Sequence, residues 1–433
     1  MVNFLDIDCL DFEEQFMSIL NAKQEASDEL NQIVSSILSE VKSRGDGALI
    51  DYSKKFDRIS LKPATIKMST SEIKEAAARV SSSVRHALEF SAHRIRSYHE
   101  KQIPDAISWT DDIGVELGWR WSPISSVGLY VPGGRASYPS TLLMNAIPAK
   151  IAGVKRLAIT VPTPDGEINS EVMAAAQIAG IDEIYRLGGA QAVAAMAYGS
   201  QSVKAVDKIM GPGNAYVAAA KRQVFGHVGI DLIAGPSEIL VIADEENDPD
   251  WIACDLLSQA EHDEFAQSIL ITDSAGFGKS VMIAVDCQLT ELRRKEIASA
   301  SWRNFGKVIL VRDLQQAAKL SNQIAPEHLQ LCVKDPDSLA KLCTNAGAIF
   351  LGQWTPEAIG DYVAGPNHVL PTARSARFSS GLSVMDFLKR TTITRMNPKS
   401  FGTIGPFAEK LALSEGLQAH ALSVQARLRK LNR

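Results

Sequence analysis

The sequence lacks several features that would assign it to a particular class of protein. Its five cysteines are scattered and form no C-x-x-C pair, which argues against a disulfide framework and a thiolate zinc cluster. There is no H-E-x-x-H metal motif, no G-x-G-x-x-G dinucleotide motif and no apolar run long enough to span a bilayer. There is also no run of five or six like charges, and the formal net charge is -5. We therefore expect neither a nucleic-acid surface nor a membrane segment.

The N-terminus, MVNFLDIDCLDFEEQF, carries acids where a secretory signal needs Lys or Arg and then an apolar block. A cytoplasmic protein with buried thiols is the expectation. Hydrophobic content of 45% and charged content of 22% are typical of a globular chain. A length of 433 residues exceeds one ordinary core, so two or more domains are predicted.

Short β-branched runs alternate with Ala-rich helical patterns from about residue 113 to residue 370. This alternation predicts an α/β fold with two Rossmann-like parallel sheets and a cleft between them. Residues 1–105 are predicted to be helical, with His86, His93 and His99 on a solvated face. The strands are predicted at 126–131, 156–161, 183–187, 208–210, 239–243, 268–272, 307–311, 329–333 and 348–351.

The chain is expected to end in an extended helical tail. Residues 371–404 are rich in Ser, Thr, Arg and Gly with few periodic apolar positions, and residues 406–431 are predicted to form one helix. Such a helix must bury its apolar face, and a second subunit is one solution.

One helix, predicted over 251–264 (WIACDLLSQAEHDE), changes character along its length. Its first turns carry an apolar stripe, after which Gln259 and His262 follow at i and i+3 on one flank. An amide oxygen and a neutral imidazole at the edge of a core are half of a possible metal site. An exposed polar helix end explains the same residues.

Three glycine turns follow predicted strands: PGGR at 132–135, GGAQ at 188–191 and GPGN at 211–214. Glycine after a strand allows close approach of a phosphate, and the next helix N-terminus favours the anion. Plain tight turns explain any one of them, but three in successive units favour a nucleotide-binding face.

Four further polar clusters are harder to explain as structure alone. Ser237 lies in a turn before an apolar strand, and Pro326 is suited to the first position of a helix that would carry Glu327 and His328. The loop GDYVAGPNHVL and the terminal helix supply more acids and imidazoles: Asp361, His368, Glu415 and His420. Turn chemistry and helix capping are the plain alternatives. Gln259, His262, Asp361 and His420 are nitrogen and oxygen donors of the kind that zinc accepts.

Nine ordered motifs resemble the histidinol dehydrogenase family, and the resemblance covers nearly the whole chain, most weakly before residue 110. They are LYVPGGRASYPS, RLGGAQAVAAMAYGS, KIMGPGNAYV, AGPSEILVIAD, LLSQAEHD, APEHLQL, GDYVAGPNHVLPT, ARFSSGL and EGLQAHA. The resemblance implies oxidation of L-histidinol to L-histidine through an aldehyde, with two NAD and a bound zinc, in the last steps of histidine biosynthesis.

The resemblance also implies a role for each matching residue. Zinc is expected on Gln259, His262, Asp361 and His420, with His420 contributed by the partner subunit of a homodimer. Glu327 and His328 match the catalytic acid/base positions. The substrate is expected to contact Ser237, His368 and Glu415 together with the zinc and acid/base residues. The nucleotide is expected to contact Tyr130, Gln191 and Asn214.

Three domains are expected on this basis. Residues 1–129 and 237–380 form a helical N-terminal segment with a metal- and substrate-binding α/β domain. Residues 130–236 form a nucleotide-facing α/β domain. Residues 381–433 form a tail that packs on the partner subunit.

The implied chemistry assigns the alcohol proton to His328 and the activation of a water, for addition to the aldehyde, to Glu327. A cysteine thiohemiacetal is disfavoured because Cys254 lies in a predicted helix and Cys332 in an apolar strand. Three alternatives stay open: a zinc- and NAD-dependent alcohol dehydrogenase for another small polar alcohol such as sulfopropanediol, a zinc hydrolase or deaminase, and a non-catalytic zinc protein.

Overall fold

A computed structural model describes residues 3–21, 28–133, 138–233 and 235–431. The chain divides into two compact units, one formed by Met1–Gln102 with Ser125–Asp386 and the other by Ile103–Ile124 with Phe387–Arg433. The first unit holds both parallel sheets, and the second holds an antiparallel sheet and the terminal helices.

The helices are α1 Phe12–Asn21, α2 Asp28–Arg44, α3 Asp46–Phe56, α4 Pro63–Ile66, α5 Thr70–Ala77, α6 Ser82–His99, α7 Pro139–Ile151, α8 Ser170–Ile178, α9 Gly189–Tyr198, α10 Ala215–Val224, α11 Pro249–Ala260, α12 Ala275–Leu289, α13 Lys295–Phe305, α14 Leu314–Ile324, α15 Pro336–Ala340, α16 Glu357–Tyr362, α17 Pro398–Ser414 and α18 Gln418–Leu431. The strands are β1 Asn3–Asp6, β2 Ile107–Thr110, β3 Glu116–Pro123, β4 Ser126–Tyr130, β5 Arg156–Thr160, β6 Ile184–Tyr185, β7 Lys208–Met210, β8 Gly229–Ile230, β9 Glu238–Ala243, β10 Gln267–Thr272, β11 Lys307–Leu310, β12 His328–Cys332, β13 Ala348–Leu351 and β14 Leu388–Arg395.

The larger sheet is parallel, with the strand order β1-β11-β10-β9-β12-β13. Its central strands β9, β10 and β12 are buried along their whole length, as expected where helices cover both faces. Strand β1 pairs with β11, although residues 1–105 are predicted to be helical throughout. That part of the prediction is wrong at β1.

The second parallel sheet has the order β6-β5-β4-β7-β8. Its strands lie between Ser126 and Ile230, and apolar helices α7, α8, α9 and α10 alternate with them. The two parallel sheets and the helical segments at both ends of the chain confirm the predicted α/β fold class.

Several local predictions are wrong for identifiable reasons. Helix α11 ends at Ala260, so His262 lies in the turn beyond it. The predicted helix 406–431 is two helices, α17 and α18, because Gly416 adopts a φ of 75° between them. Residues 371–404, which have few periodic apolar positions, nevertheless contain the strand β14, which pairs antiparallel with β3. His99 is fully buried on α6, whereas His86 and His93 are exposed as predicted.

The second unit is built on the antiparallel sheet β14-β3-β2 and on α17 and α18, which pack on one another. Its helices and the turn between them expose large apolar side chains, among them Phe407, Leu411, Leu413, Leu417 and Leu422. In the part of the chain that the structure describes, no helix is both long enough and apolar enough to cross a bilayer.

Candidate functional site

The candidate site of the first unit lies at the amino ends of two neighbouring strands of the larger sheet. Glu238 is the first residue of β9 and His328 the first residue of β12, and the two strands pair in parallel with His328 opposite Ile239. Ala325 adopts a left-handed φ of 50° and ends α14. The residues after it lead into β12, so the prediction that Pro326 begins a helix carrying Glu327 and His328 is wrong.

The imidazole of His328 is held in one orientation. Its Nδ1 lies 2.9 Å from the main-chain oxygen of Glu238, and a carbonyl oxygen can only accept, so Nδ1 carries the proton. Its Nε2 is buried and has no hydrogen-bond partner among the described residues. Burial lowers the pKa of His328, although the nearby Asp361 carboxyl opposes that effect. The ring is therefore a neutral base with a free lone pair on Nε2.

Glu327 is buried beside this imidazole. One carboxyl oxygen, Oε2, accepts the main-chain N–H of Glu238 at 3.0 Å and lies 3.6 Å from Nδ1 of His328. Burial raises the pKa of Glu327 well above its ordinary value, and the nearby acids Glu238, Asp361 and Glu357 raise it further. A carboxylate with a raised pKa is a stronger base than an exposed one, which suits it to proton transfer.

Helix α16 brings a second acidic side chain to the imidazole. Asp361 Oδ1 lies 3.8 Å from His328 Nε2. Gly360 precedes it because a Cβ at that position would run into the ring of Phe350 on β13. The next loop returns His368, whose Nδ1 lies 2.9 Å from the main-chain oxygen of Asp361 and whose Nε2 lies 3.1 Å from Thr141 Oγ1.

Gln259 and His262 lie at the carboxyl end of α11. Gln259 is fully buried, yet neither Nε2 nor Oε1 of its amide has a hydrogen-bond partner among the described residues. The main-chain N–H of His262 donates to the main-chain oxygen of Gln259 at 3.1 Å. Burial lowers the pKa of His262, and the negative charge of the Asp361 carboxyl opposes that effect. Ser237 is half-buried directly before β9.

Sequence reasoning did not find Glu357, the first residue of α16. Its carboxyl is buried, with Oε1 3.7 Å from His328 Nε2 and Oε2 accepting the Ser258 hydroxyl at 3.1 Å. Burial raises its pKa to about 7. The ligand atoms of His328, Glu357 and Asp361 all lie within 4.8 Å of one another. The i, i+4 spacing of Glu357 and Asp361 in PEAIGDY is the signal that could have found it.

The residues of this cluster fit a divalent metal. The donors on Gln259, His262 and Asp361 are an amide oxygen, an imidazole nitrogen and a carboxylate, which zinc accepts. A buried amide without any partner is costly unless something else satisfies it. The orphaned amide of Gln259 therefore favours a bound cation that takes its oxygen.

The predicted nucleotide residues lie at the carboxyl edge of the five-stranded sheet. Tyr130 ends β4, and its hydroxyl accepts the main-chain N–H of Gly189 at 3.1 Å. Gln191 is buried in the first turn of α9, and Asn214 caps α10 by accepting the N–H groups of Tyr216 and Val217. The first glycine turn falls partly outside the described residues, at 134–137.

The third of these turns begins with a glycine that no other residue can replace without strain. Gly211 has a φ of 113°, and a Cβ there would run into the main-chain oxygen of Tyr130. The loop GPGN therefore lies against the end of β4, beside the tyrosine that contacts Gly189. Exposed N–H groups at such an edge favour phosphate binding.

Glu415 and His420 belong to the second unit. Glu415 is the C-terminal cap of α17 and His420 lies in the first turn of α18, and both side chains are exposed. Their predicted roles toward substrate and zinc stay predictions.

Comparisons with known proteins agree with this picture. The family model described as "Histidinol dehydrogenase" matches residues 20–428. The chain is 64% identical over 432 residues to the histidinol dehydrogenase of Ruegeria pomeroyi and 60% identical over 432 residues to that of Cereibacter sphaeroides, covering 100% of each chain in both cases. The crystal structure of histidinol dehydrogenase from Elizabethkingia anophelis superposes with a TM-score of 0.94 at 37% identity, over 100% of this chain and 99% of that one.

A two-sheet α/β fold of this kind, with a buried acid–imidazole cluster and full-length relatives of this identity, defines an oxidoreductase. The chain belongs to the histidinol dehydrogenase family.

Proposed function

We propose that the chain oxidises L-histidinol to L-histidine through L-histidinaldehyde, in the last steps of histidine biosynthesis. Two NAD accept the two hydrides, and the overall change consumes one water and releases protons. The observation that carries this proposal is the buried His328, neutral and with a free Nε2, inside a cluster of acids in a chain of this family.

In the first oxidation, Nε2 of His328 accepts the proton of the substrate hydroxyl while a hydride leaves the carbon that bears this hydroxyl for the nicotinamide. The imidazolium that forms is stabilised by the carboxyls of Glu357 and Asp361, 3.7 and 3.8 Å from Nε2, and by the Glu238 carbonyl at Nδ1. The hydrogen bond at Nδ1 also fixes the tautomer that the step requires.

In the second oxidation, Glu327 takes a proton from a water that adds to the aldehyde carbon. The resulting hydrate then gives up the second hydride to NAD and a hydroxyl proton to His328, which by then has released its first proton to solvent, and the acid that forms ionises to the carboxylate. A raised pKa suits Glu327 to this transfer because it makes the carboxylate a stronger base than an exposed one.

Gln259, His262 and Asp361 would hold a zinc ion, with His420 supplied by the partner subunit of a homodimer. When bound, zinc would act as a template that orients the substrate for reaction. Ser237, His368 and Glu415 are proposed to contact the substrate, and Tyr130, Gln191 and Asn214 the NAD. The domain roles proposed from the sequence follow: 130–236 faces the nucleotide, 1–129 with 237–380 the metal and substrate, and 381–433 the partner subunit.

The cysteines support a route without a thiohemiacetal. Cys332 is buried in β12, and burial raises the pKa of its thiol to about 11. The pKa of the exposed Cys254 is also raised, by partial burial and by nearby acids. Neither thiol is suited to form a thiolate at neutral pH. Free cysteines and NAD chemistry also fit a cytoplasmic location, which we propose as well.

The test offers the zinc-loaded chain L-histidinol with NAD, and in parallel a sulfonated diol such as sulfopropanediol with NAD. We expect NADH from histidinol and loss of that activity on chelation. NADH from the diol alone would establish the related alcohol dehydrogenase instead. Turnover of any substrate without nicotinamide would point to a hydrolase or deaminase, and no turnover with zinc present contradicts the proposal.

A further inference from the structure

We propose that Glu357 is a positioning residue of the metal site, holding the helix that carries Gln259 and the strand that carries His328 against the helix that carries Asp361. The inference rests on the proposed function, since it takes zinc to be the ion. It assigns a role to a buried acid that the mechanism uses only as a neighbouring charge.

The first link joins α16 to α11. The hydroxyl of Ser258 lies 3.1 Å from Oε2 of Glu357 and 2.8 Å from the main-chain oxygen of Asp255, so its single proton is shared between these two acceptors. Ser258 directly precedes Gln259, whose orphaned amide is the expected oxygen ligand. A shift of this hydrogen bond would therefore move the last turn of α11, and with it the ligand.

The second link joins α16 to β12. The main-chain N–H of Glu357 donates to Oε1 of Gln330 at 3.3 Å, and Gln330 is fully buried two residues after His328. The amide of Gln330 donates in turn to Asp255 on α11. The three elements that carry site residues thus share one buried hydrogen-bond network, and such networks are rigid when their members are satisfied.

The third link lies within α16 itself. Glu357 and Asp361 are four residues apart, so both side chains lie on the same face of the helix. With Oε2 held by Ser258, the other oxygen of Glu357 faces the cluster, 3.7 Å from His328 Nε2. A carboxyl oxygen of Glu357 lies within 4.8 Å of a carboxyl oxygen of Asp361.

A purely structural role explains this arrangement poorly. Among the described residues, Glu357 forms no ion pair with lysine or arginine, and an acid buried without a cation destabilises a fold. Glu357 instead bonds to Ser258, the residue directly before the proposed ligand Gln259, and polar partners behind metal ligands commonly orient them.

The experiment measures zinc affinity by competition with a chelator, using the full chain and Zn²⁺ alone. For Glu357→Ala we expect zinc to bind about 10- to 100-fold more weakly, as is usual when a partner of a metal ligand is removed. Glu357→Gln keeps an acceptor for Ser258, so its affinity should stay within about threefold of the unsubstituted chain. Ser258→Ala loses one hydrogen bond and should weaken binding by about two- to tenfold.

The matched control is Glu183→Gln. Glu183 is a partly buried acid that pairs with Arg156 at the edge of the other parallel sheet, so zinc affinity should not change. The stability of the zinc-free proteins is measured alongside, because a merely structural role would lower stability and leave the zinc affinity of the folded protein unchanged. If Glu357→Ala does not fold, Ser258→Ala decides.

If Glu357→Ala and Ser258→Ala both bind zinc as tightly as the unsubstituted chain, this inference is wrong, while the proposed function still stands. An equal loss in Glu357→Gln and Glu357→Ala would also overturn it, because hydrogen-bonded positioning would then not be the cause. Absence of zinc binding by the unsubstituted chain would overturn the proposed zinc dependence and this inference together.

Discussion

The backbone of Glu238 contacts both acid/base candidates: its carbonyl oxygen lies 2.9 Å from His328 Nδ1, and its N–H donates to Glu327 at 3.0 Å. One residue at the start of β9 thus fixes the tautomer of the imidazole and the orientation of the carboxyl. Because β9 and β12 are paired central strands, this geometry is as rigid as the sheet itself.

Substitution of Glu327 by Gln should separate the two oxidations. Alcohol oxidation needs a base at His328, whereas only aldehyde oxidation needs a water activated by Glu327. We expect aldehyde oxidation to slow by about 10²- to 10⁴-fold and alcohol oxidation to slow much less. Single-turnover measurements started from histidinol and from histidinaldehyde check this. An equal loss in both half-reactions would contradict the assignment.

Complementation between inactive chains tests the shared zinc site. His262→Ala and His420→Ala should each be inactive, because each removes one proposed ligand. In a mixed dimer, one of the two sites combines an intact His262 with an intact His420 from the partner, so part of the activity should return on mixing. Refolding each variant alone is the control. If mixing never restores activity although mixed dimers form, His420 does not act across the interface.

Substitution of Lys221 by Met should destabilise the five-stranded sheet region. The buried ammonium of Lys221 pairs with the buried Asp231 and donates to the main-chain oxygens of Gly211 and Leu232 at 2.9 and 2.8 Å. Removing it leaves Asp231 buried without its cation, which should lower the free energy of unfolding by about 3–5 kcal/mol. Urea denaturation measures the change.

The double substitution of Lys221 by Met and Asp231 by Asn provides the control for that experiment. It removes the orphaned charge as well, so part of the lost stability should return. A double variant less stable than Lys221→Met would show that the unpaired acid is not the cause.

Asp57 should make stability depend on pH. Burial raises its pKa from 3.8 to about 6, so the folded state keeps a proton that the unfolded chain releases at lower pH. The free energy of unfolding therefore falls as pH rises from about 4 to about 6, and the loss persists above pH 6. Asp57→Asn should raise the free energy of unfolding at pH 7 by about 1 kcal/mol, a value that already allows for partial solvation of the carboxyl. The gain should be smaller at pH 4, where the carboxyl is protonated in the folded state and partly protonated in the unfolded chain. Urea denaturation at both pH values checks this, and an equal gain at both would contradict it.

Most strands of the two parallel sheets are predictable from sequence because they are short runs of apolar, often β-branched residues between Gly or Pro turns, whereas the two-residue strand β8 is not predicted. Strand β1 is not predicted either, since four residues of NFLD have no such pattern and owe their conformation to pairing with the distant β11. Pro326 was misleading for a similar reason. Its suitability for a helix start was outweighed by Ala325, whose left-handed backbone ends α14 and leads the chain into β12.

The site shows the same division between local and non-local information. The motifs named Gln259, His262, Glu327, His328 and Asp361, but their mutual distances depend on three separate elements meeting. Glu357 escaped notice because an acid in the first turn of a helix is ordinary. Only burial and the Ser258 contact distinguish it.

The most direct test of the account is the stoichiometry of the reaction. The zinc-loaded chain is given a limiting amount of L-histidinol and excess NAD, and NADH and the product are quantified at completion. The account predicts two NADH for each histidinol consumed, with L-histidine as the product and no accumulation of aldehyde. One NADH with free aldehyde as the end product, or no NADH at all, would contradict it.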